Sequence, residues 1–134
     1  MSAVAPIFRM VCSPSTLAGA ATGWVAEELR DGELALLVDD GGLDAINSAA
    51  HALGLVSVAI VRSEATAELQ AQTVIAFAGS FPFVWVAKGL DDAVRTWARE
   101  RRPMTLLVDV DGELPDAERG RIERFIALLA RQTE

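Results

Sequence analysis

Short apolar runs recur along the chain, and they predict the strands of the fold. Residues 6–12, 34–38 and 55–61 are almost wholly apolar, which is typical of strands that are covered on both faces of a sheet. Residues 83–87 and 104–110 have the same character. We predict a strand at each of these five positions.

The segments between these strands predict amphipathic helices. Ser13 is placed to cap a first helix, with Pro14 at its first position. Further helices are predicted over 43–53, from residue 90 and from Pro115. In each of the four predicted helices, apolar residues recur at helical spacing. In chain order, these residues are Leu17, Ala20, Ala21, Trp24, Val25 and Leu29 in the first helix; Leu43, Ile46, Ala49, Ala50 and Leu53 in the second; Leu90, Val94, Trp97 and Ala98 in the third; and Ile122, Phe125, Ile126 and Leu129 in the fourth.

The pattern leaves two consecutive segments undecided. Residues 62–72 are polar, and they fit either a loop or a short helix. Residues 73–81 begin like a strand, but they also place apolar side chains at helical spacing. Both segments stay open at the level of the sequence.

Strands that are separated by helices of this length are joined by right-handed crossovers. Residues 1–134 are therefore expected to form a single α/β domain of three layers, with a mostly parallel sheet between helices. Flavodoxin-like and Rossmann-like arrangements both belong to this class. The chain shows no internal repeat, linker or low-complexity run.

Charge and composition narrow the classes of partner. The formal net charge is −7, so nucleic acid and anionic membrane surfaces are not expected to bind. The basic residues Arg99, Arg101 and Arg102 fall at the end of a predicted helix, where cations complement the helix dipole. No apolar run approaches the ~20 residues that span a bilayer, and the single cysteine excludes an internal disulfide. We expect a cytoplasmic protein.

Ligands of parallel sheets bind beyond the carboxyl ends of the strands. Four loops qualify here, at residues 12–16, 39–42, 62–66 and 109–113. The first brings Cys12, Ser13 and Ser15 to the start of a helix, where a lowered thiol pKa or a bound anion is possible. The alternative is a small buried cysteine and a capping serine, without a ligand.

The second of these loops carries paired carboxylates. Asp39 and Asp40 precede Gly41 and Gly42, and such a pair at a strand end suits Mg²⁺ or a hydroxylated ligand. The alternative is a turn with solvated aspartates. Asp109 and Asp111, at the end of the last predicted strand, are interpreted as turn formers.

The chain contains a single histidine, His51. It lies off the apolar face of its predicted helix, so we expect it to be exposed. Neither a serine–histidine triad nor a two-histidine metal site is possible with one histidine. We therefore assign no catalytic residue and no metal ligand.

Three segments, in this order, carry a family resemblance. Residues 17–26 are a helix rich in small residues, 42–53 combine a glycine turn with a helix, and 89–110 combine a helix, an arginine–proline turn and a strand. Together they resemble the pyrimidine-binding domain of thiamine-diphosphate-dependent enzymes. The alpha subunits of sulfopyruvate and phosphonopyruvate decarboxylases are the particular type.

This resemblance implies a function, a cofactor and a partner. It makes the chain one subunit of a split 2-oxo acid decarboxylase or lyase that binds thiamine diphosphate with Mg²⁺. Because this cofactor lies between two domains, we expect a homo-oligomer or a hetero-complex with a diphosphate-binding subunit. The candidate cofactor-binding residues are Ser13, Ser15, Asp39, Asp40, Gly41, Gly42 and Asn47.

The chain departs from that family in two respects. Residues 13–15 occupy the stretch where the family places the glutamate that activates the aminopyrimidine ring, and the family's first strand and helix have no counterpart. The alternative is therefore a non-catalytic interaction or regulatory module that has lost cofactor activation. A third hypothesis is an independent enzyme with Cys12 as its nucleophile.

Overall fold

One parallel sheet organises the computed structural model, which describes residues 6–17, 22–38, 42–52 and 58–132. Its strands are β1 (Phe8–Cys12), β2 (Gly32–Leu37), β3 (Ala59–Val61), β4 (Phe83–Ala87) and β5 (Thr105–Asp109). The helices are α1 (Thr22–Glu28), α2 (Gly42–Ala52), α3 (Ala67–Ala78), α4 (Asp92–Glu100) and α5 (Asp116–Gln132). A short 3₁₀ helix, Pro14–Leu17, follows β1.

The strand order is β3-β2-β1-β4-β5, and every pair of neighbours is parallel. This is the order of Rossmann-like doubly wound sheets. The chain moves outward from β1 to β3 and then returns to the other side of β1 to add β4. In register, Met10 pairs with Val84 and Val11 with Trp85. The direction of winding therefore changes between β1 and β4, at the switch point of the sheet.

Alternate strand residues supply two separate cores, one on each face of the sheet. Met10 and Val84 belong to the core that also contains Ile122 of α5. The other core contains Val11 and also includes side chains of α3 and α4, among them Val74 and Val94. The predicted three-layer α/β/α architecture with a parallel sheet is therefore confirmed.

Helix α3 resolves the two segments that the sequence left undecided. It begins after Thr66, whose side chain accepts a hydrogen bond from the Leu69 amide at 3.1 Å. It ends at Ala78, and Gly79 follows with φ of 55°. Val74 and Ala78 are buried against the sheet, so the apolar residues of 73–81 follow the helical spacing.

Two described segments fall within the first predicted helix. Pro14–Leu17 is a 3₁₀ helix, and α1 covers Thr22–Glu28. Leu17, Val25 and Leu29 are buried, as their spacing predicts. Residues 18–21 lie outside the described residues. The same holds for 53–57, which include the predicted end of α2 and the predicted start of β3.

Helix α5 has the amphipathic pattern that its sequence predicts. Its buried side chains are Ile122, Phe125, Ile126 and Leu129. Across the described part of the chain, none of the helices combines the length and the apolar character that crossing a bilayer requires.

Arg101 has a structural role beyond the end of its helix. Its Nη2 donates to the carbonyl oxygens of Gly79 at 2.8 Å and Phe81 at 2.9 Å, and its Nη1 donates to Thr105 Oγ1 at 2.8 Å. The guanidinium also lies 4.8 Å from the centre of the Trp97 ring. The side chain therefore ties the α3–β4 connection to α4 and β5.

Candidate functional site

A cleft of about 380 Å³ opens at the switch point, beyond the carboxyl ends of β1 and β4. Ser13 and Ser15, which follow β1, form part of one side, and residues 88–91, which follow β4, form another. Helix α3 contributes Ala67, Gln70 and Ala71. This is the position at which open parallel sheets bind their ligands.

One wall of the cleft presents three hydroxyl groups. Ser13 Oγ lies 3.1 Å from Ser15 Oγ and 3.0 Å from Thr16 Oγ1. The backbone holds this turn in place, because the Thr16 amide donates to the Ser13 carbonyl at 3.2 Å and the Leu114 amide donates to the Thr16 carbonyl at 2.9 Å. Each hydroxyl can donate and accept a hydrogen bond. This wall therefore suits uncharged polar groups of either kind.

Another part of the lining is apolar. Trp85 of β4 and Val74 of α3 both line the cleft, and both are buried. The Trp85 ring packs against Phe83 and Trp97, with ring centres 6.3 and 6.2 Å away. Tilted and edge-to-face contacts of this kind are favourable arrangements of aromatic rings. The lining of the cleft therefore combines apolar side chains with the hydroxyl groups.

The turn between β4 and α4 is held by Asp109, at the end of β5. Its Oδ1 accepts from the Gly89 amide and its Oδ2 from the Leu90 amide, both at 3.1 Å. Gly89 has φ of 71°, which favours glycine. Asp91 then caps α4 by accepting from the Val94 amide at 3.0 Å. This rim of the cleft is thus ordered by two carboxylates.

Lys88 is the cationic side chain among the lining residues that the structure describes. Its Nζ lies 3.4 Å from a carboxylate oxygen of Asp111, and both side chains are exposed. Such a pair contributes little to stability, but it balances the charge of Lys88.

Cys12 does not belong to the lining of the cleft. It is buried in the core that also contains Met10 and Val84, and burial raises the pKa of its thiol from 9.0 to about 12. Because the thiolate is the nucleophilic form, this raised pKa disfavours reaction of the thiol at neutral pH. The hypothesis of an enzyme with Cys12 as nucleophile is therefore disfavoured, and the interpretation as a small apolar core residue is favoured.

The candidate cofactor-binding residues differ in whether they line the cleft. Ser13 and Ser15 both line the cleft. Gly42 begins α2 with φ of 65°, and Asn47 is exposed on the same helix; neither is among the lining residues. Asp39, Asp40 and Gly41 lie outside the described residues.

Of the other two candidate loops, the one after β5 lines the cleft and the one after β3 does not. Gly112, in the loop after β5, lines the cleft. The loop after β3 instead holds Gln70, whose side chain lines the cleft. Gln70 Nε2 donates to the Arg62 carbonyl at 3.1 Å, and the Glu64 amide donates to Gln70 Oε1 at 2.9 Å. The pKa of Glu64 is lowered, first by its hydrogen bond with Arg62 and then by that with Thr73.

Sequence reasoning missed the loop after β4. Residues 88–91 follow a strand that was predicted with the right bounds, and Gly89 with Asp91 is a recognisable turn and cap signal. What the sequence did not show is that β4 lies beside β1. Because β4 pairs with β1, the loop after β4 lies at the switch point of the sheet.

The donor set for a metal is limited in the described residues. Within them, no group of three or more histidine, cysteine, aspartate or glutamate side chains is arranged to hold an ion. Asp39 and Asp40 lie outside the described residues, so the hypothesis that this pair binds Mg²⁺ stays a hypothesis.

Comparison with known proteins leaves the fold and the cleft as the basis for a functional argument. No protein-family model matches the chain, and no curated protein or solved structure matches it either.

Proposed function

We propose that this chain is a non-catalytic α/β module that binds a small organic molecule in the cleft between β1 and β4. The observation that carries the proposal is the cleft itself. It combines a place at the switch point, a volume of about 380 Å³ and a lining of both hydroxyl and apolar side chains. Ligand sites have about 300–1,000 Å³ and this mixture of linings.

The chemistry of the lining favours binding over catalysis. Ser13 and Ser15 hydroxyls need a general base to become nucleophiles, and His51 is exposed on α2, outside the lining. The carboxylate in the described lining is Asp91, whose Oδ1 is already engaged with the Val94 amide. A regulatory or interaction role agrees with this set of residues.

The experiment is a screen of metabolite-sized compounds, followed by mapping of backbone amide shifts by NMR. We expect hits to shift Ser13, Ser15 and Leu90. An Ala67→Trp variant places an indole at the mouth of the cleft, and it should abolish binding. Ala127→Trp, at an exposed position of α5, is the matched control. Hits that map elsewhere, or that bind Ala67→Trp unchanged, would refute the proposal.

As a second candidate, we propose that the ligand is the aminopyrimidine end of thiamine diphosphate. Support comes from the three-segment resemblance and from Ser13 and Ser15, which line the cleft in the stretch where the family has its glutamate. Their hydroxyls suit the donors and acceptors of such a ring. The lining residues do not fit activation of the cofactor, because Asp91 is engaged as a helix cap.

On this candidate the chain belongs to a split 2-oxo acid decarboxylase or lyase, and a diphosphate-binding subunit completes the site. Its test is the melting temperature with thiamine diphosphate and Mg²⁺, with and without a copurifying partner. We expect stabilisation, since a ligand that binds only the native state raises the melting temperature. No shift in either condition would remove this candidate.

A further inference from the structure

We infer that the part of the ligand held in the cleft carries no phosphate, because the chain's own carboxylates already occupy the backbone amides of the β4–α4 turn. The inference rests on the proposed binding function and names the class of ligand. Asp109 is the residue that determines this specificity. The turn in question comprises residues 88–91.

The turn has the parts of an anion site. Amides that follow a parallel strand and precede a helix are the usual donors to phosphate oxygens. Here the Gly89 and Leu90 amides each donate to a different oxygen of Asp109, at 3.1 Å. The Asp109 carboxylate is held at two points and thus takes the place of an external anion.

The remaining donors around the turn have anionic partners as well. Arg95 Nη2 lies 3.4 Å from Asp109 Oδ2, and the Val94 amide donates to Asp91 Oδ1 at 3.0 Å. Lys88 Nζ lies 3.4 Å from Asp111. A phosphate in this part of the cleft would find no unengaged cation among these residues.

Electrostatic repulsion acts in the same direction. A phosphate at the turn would lie beside the carboxylates of Asp91 and Asp109. Like charges repel more strongly near a protein surface than in bulk water, because the effective dielectric constant is lower there. The Ser13 and Ser15 hydroxyls, by contrast, carry no charge. The cleft therefore selects hydroxyl, amide or ring-nitrogen groups over a phosphate group.

The first experiment titrates inorganic phosphate into the protein and follows the Gly89 and Leu90 amides by NMR. In the native protein we expect no saturable shift at these amides. Asp109→Ala frees both amides and Arg95, so phosphate should bind there about tenfold more tightly or better. Asp109→Asn keeps the shape without the charge, and it serves if the alanine variant fails to fold; it should bind phosphate more tightly than the native protein.

Glu113→Ala is the matched control, since Glu113 is exposed in the loop after β5 and its loss changes the net charge equally without releasing Lys88 from Asp111. It should leave the Gly89 and Leu90 amides unresponsive to phosphate. Saturable binding at these amides in the native protein would overturn the inference. So would an equal gain in the Asp109 and Glu113 variants, because the effect would then be one of net charge.

A second experiment separates this inference from the proposed function. Compounds that bind the cleft are compared with their phosphate esters, for example a nucleoside with its 5′-monophosphate. We expect at least about a tenfold preference for the free compound in the native protein, and a smaller preference in Asp109→Ala. Equal or tighter binding of the ester would overturn the inference. A screen without any cleft ligand refutes the proposed function, whereas the phosphate titration still decides the state of the turn.

Discussion

Cys12 and Ser13 are adjacent in sequence but have opposite environments. Cys12 is the last residue of β1 and is 1% exposed, whereas Ser13 begins the turn that lines the cleft. Alternation along a strand places successive side chains on opposite faces, and the strand ends between these two residues. The candidate chemistry of the first loop therefore belongs to its hydroxyl groups and not to its thiol.

Burial of Cys12 predicts a loss of stability at alkaline pH. The folded state keeps the thiol protonated up to about pH 12, whereas the unfolded chain loses this proton near 9.0. Between these values the unfolded state binds fewer protons, so the free energy of unfolding falls as pH rises. The slope is about 1.4 kcal/mol per pH unit. Urea denaturation across this range measures it.

Cys12→Ala is the control for that slope. The variant loses a buried side chain and is less stable throughout, but its free energy of unfolding should fall less steeply above pH 9.0. Identical slopes in the two proteins would contradict the assignment to Cys12. Alkylation of the native thiol should also be slower than that of the urea-unfolded chain.

Gly32 is required by a close approach of two strands. It pairs in register with Phe8, and a Cβ atom at Gly32 would overlap the Phe8 ring, which is fully buried. Gly32→Ala should therefore lower the free energy of unfolding by about 1–3 kcal/mol. Gly23→Ala in α1 is the matched control, because the Cβ atom of an alanine at this position would meet no neighbouring atom within 4 Å. Equal effects on chemical denaturation would contradict this steric argument.

Among the elements, α4 shows how one capping residue positions the rim of the cleft. Asp91 accepts a hydrogen bond from the Val94 amide, so Asp91→Ala should cost about 1 kcal/mol in thermal or urea unfolding. Asp92→Ala is the control, because Asp92 lies in the first turn of α4 and is exposed. The Asp92→Ala change removes only the favourable interaction between this carboxylate and the helix dipole, which contributes about 0.3–1 kcal/mol. A larger loss in the control would refute the capping role.

The elements were predictable where apolar periodicity was strong. Strand β4 has the predicted bounds, and the buried residues of α5 are those of the predicted face. Helix α3 was not predictable, because its first half is polar and its second half also fits a strand. The decision came from contacts with the sheet, which bury Val74 and Ala78, and a single sequence does not contain those contacts.

At the scale of the whole molecule, assembly remains a prediction of the family resemblance. A cofactor site between two domains requires a second subunit, so we expect an oligomer or a complex. Light scattering at high protein concentration measures the mass in solution. A monodisperse species of 14.3 kDa, the mass of one chain, would contradict the homo-oligomer. Copurification tests the hetero-complex.

The sequence by itself determined the class of fold, because short apolar runs alternating with amphipathic helices bury their surface best as a parallel sheet between helices. It also determined that Ser13 and Ser15 follow a strand. Only the tertiary structure decided that β1 and β4 are neighbours, that Asp109 engages the Gly89 and Leu90 amides, and that Cys12 is buried in a core and does not line the cleft. The physical reason is that strand order depends on pairings between distant segments, whereas periodicity reports only what each segment can bury locally.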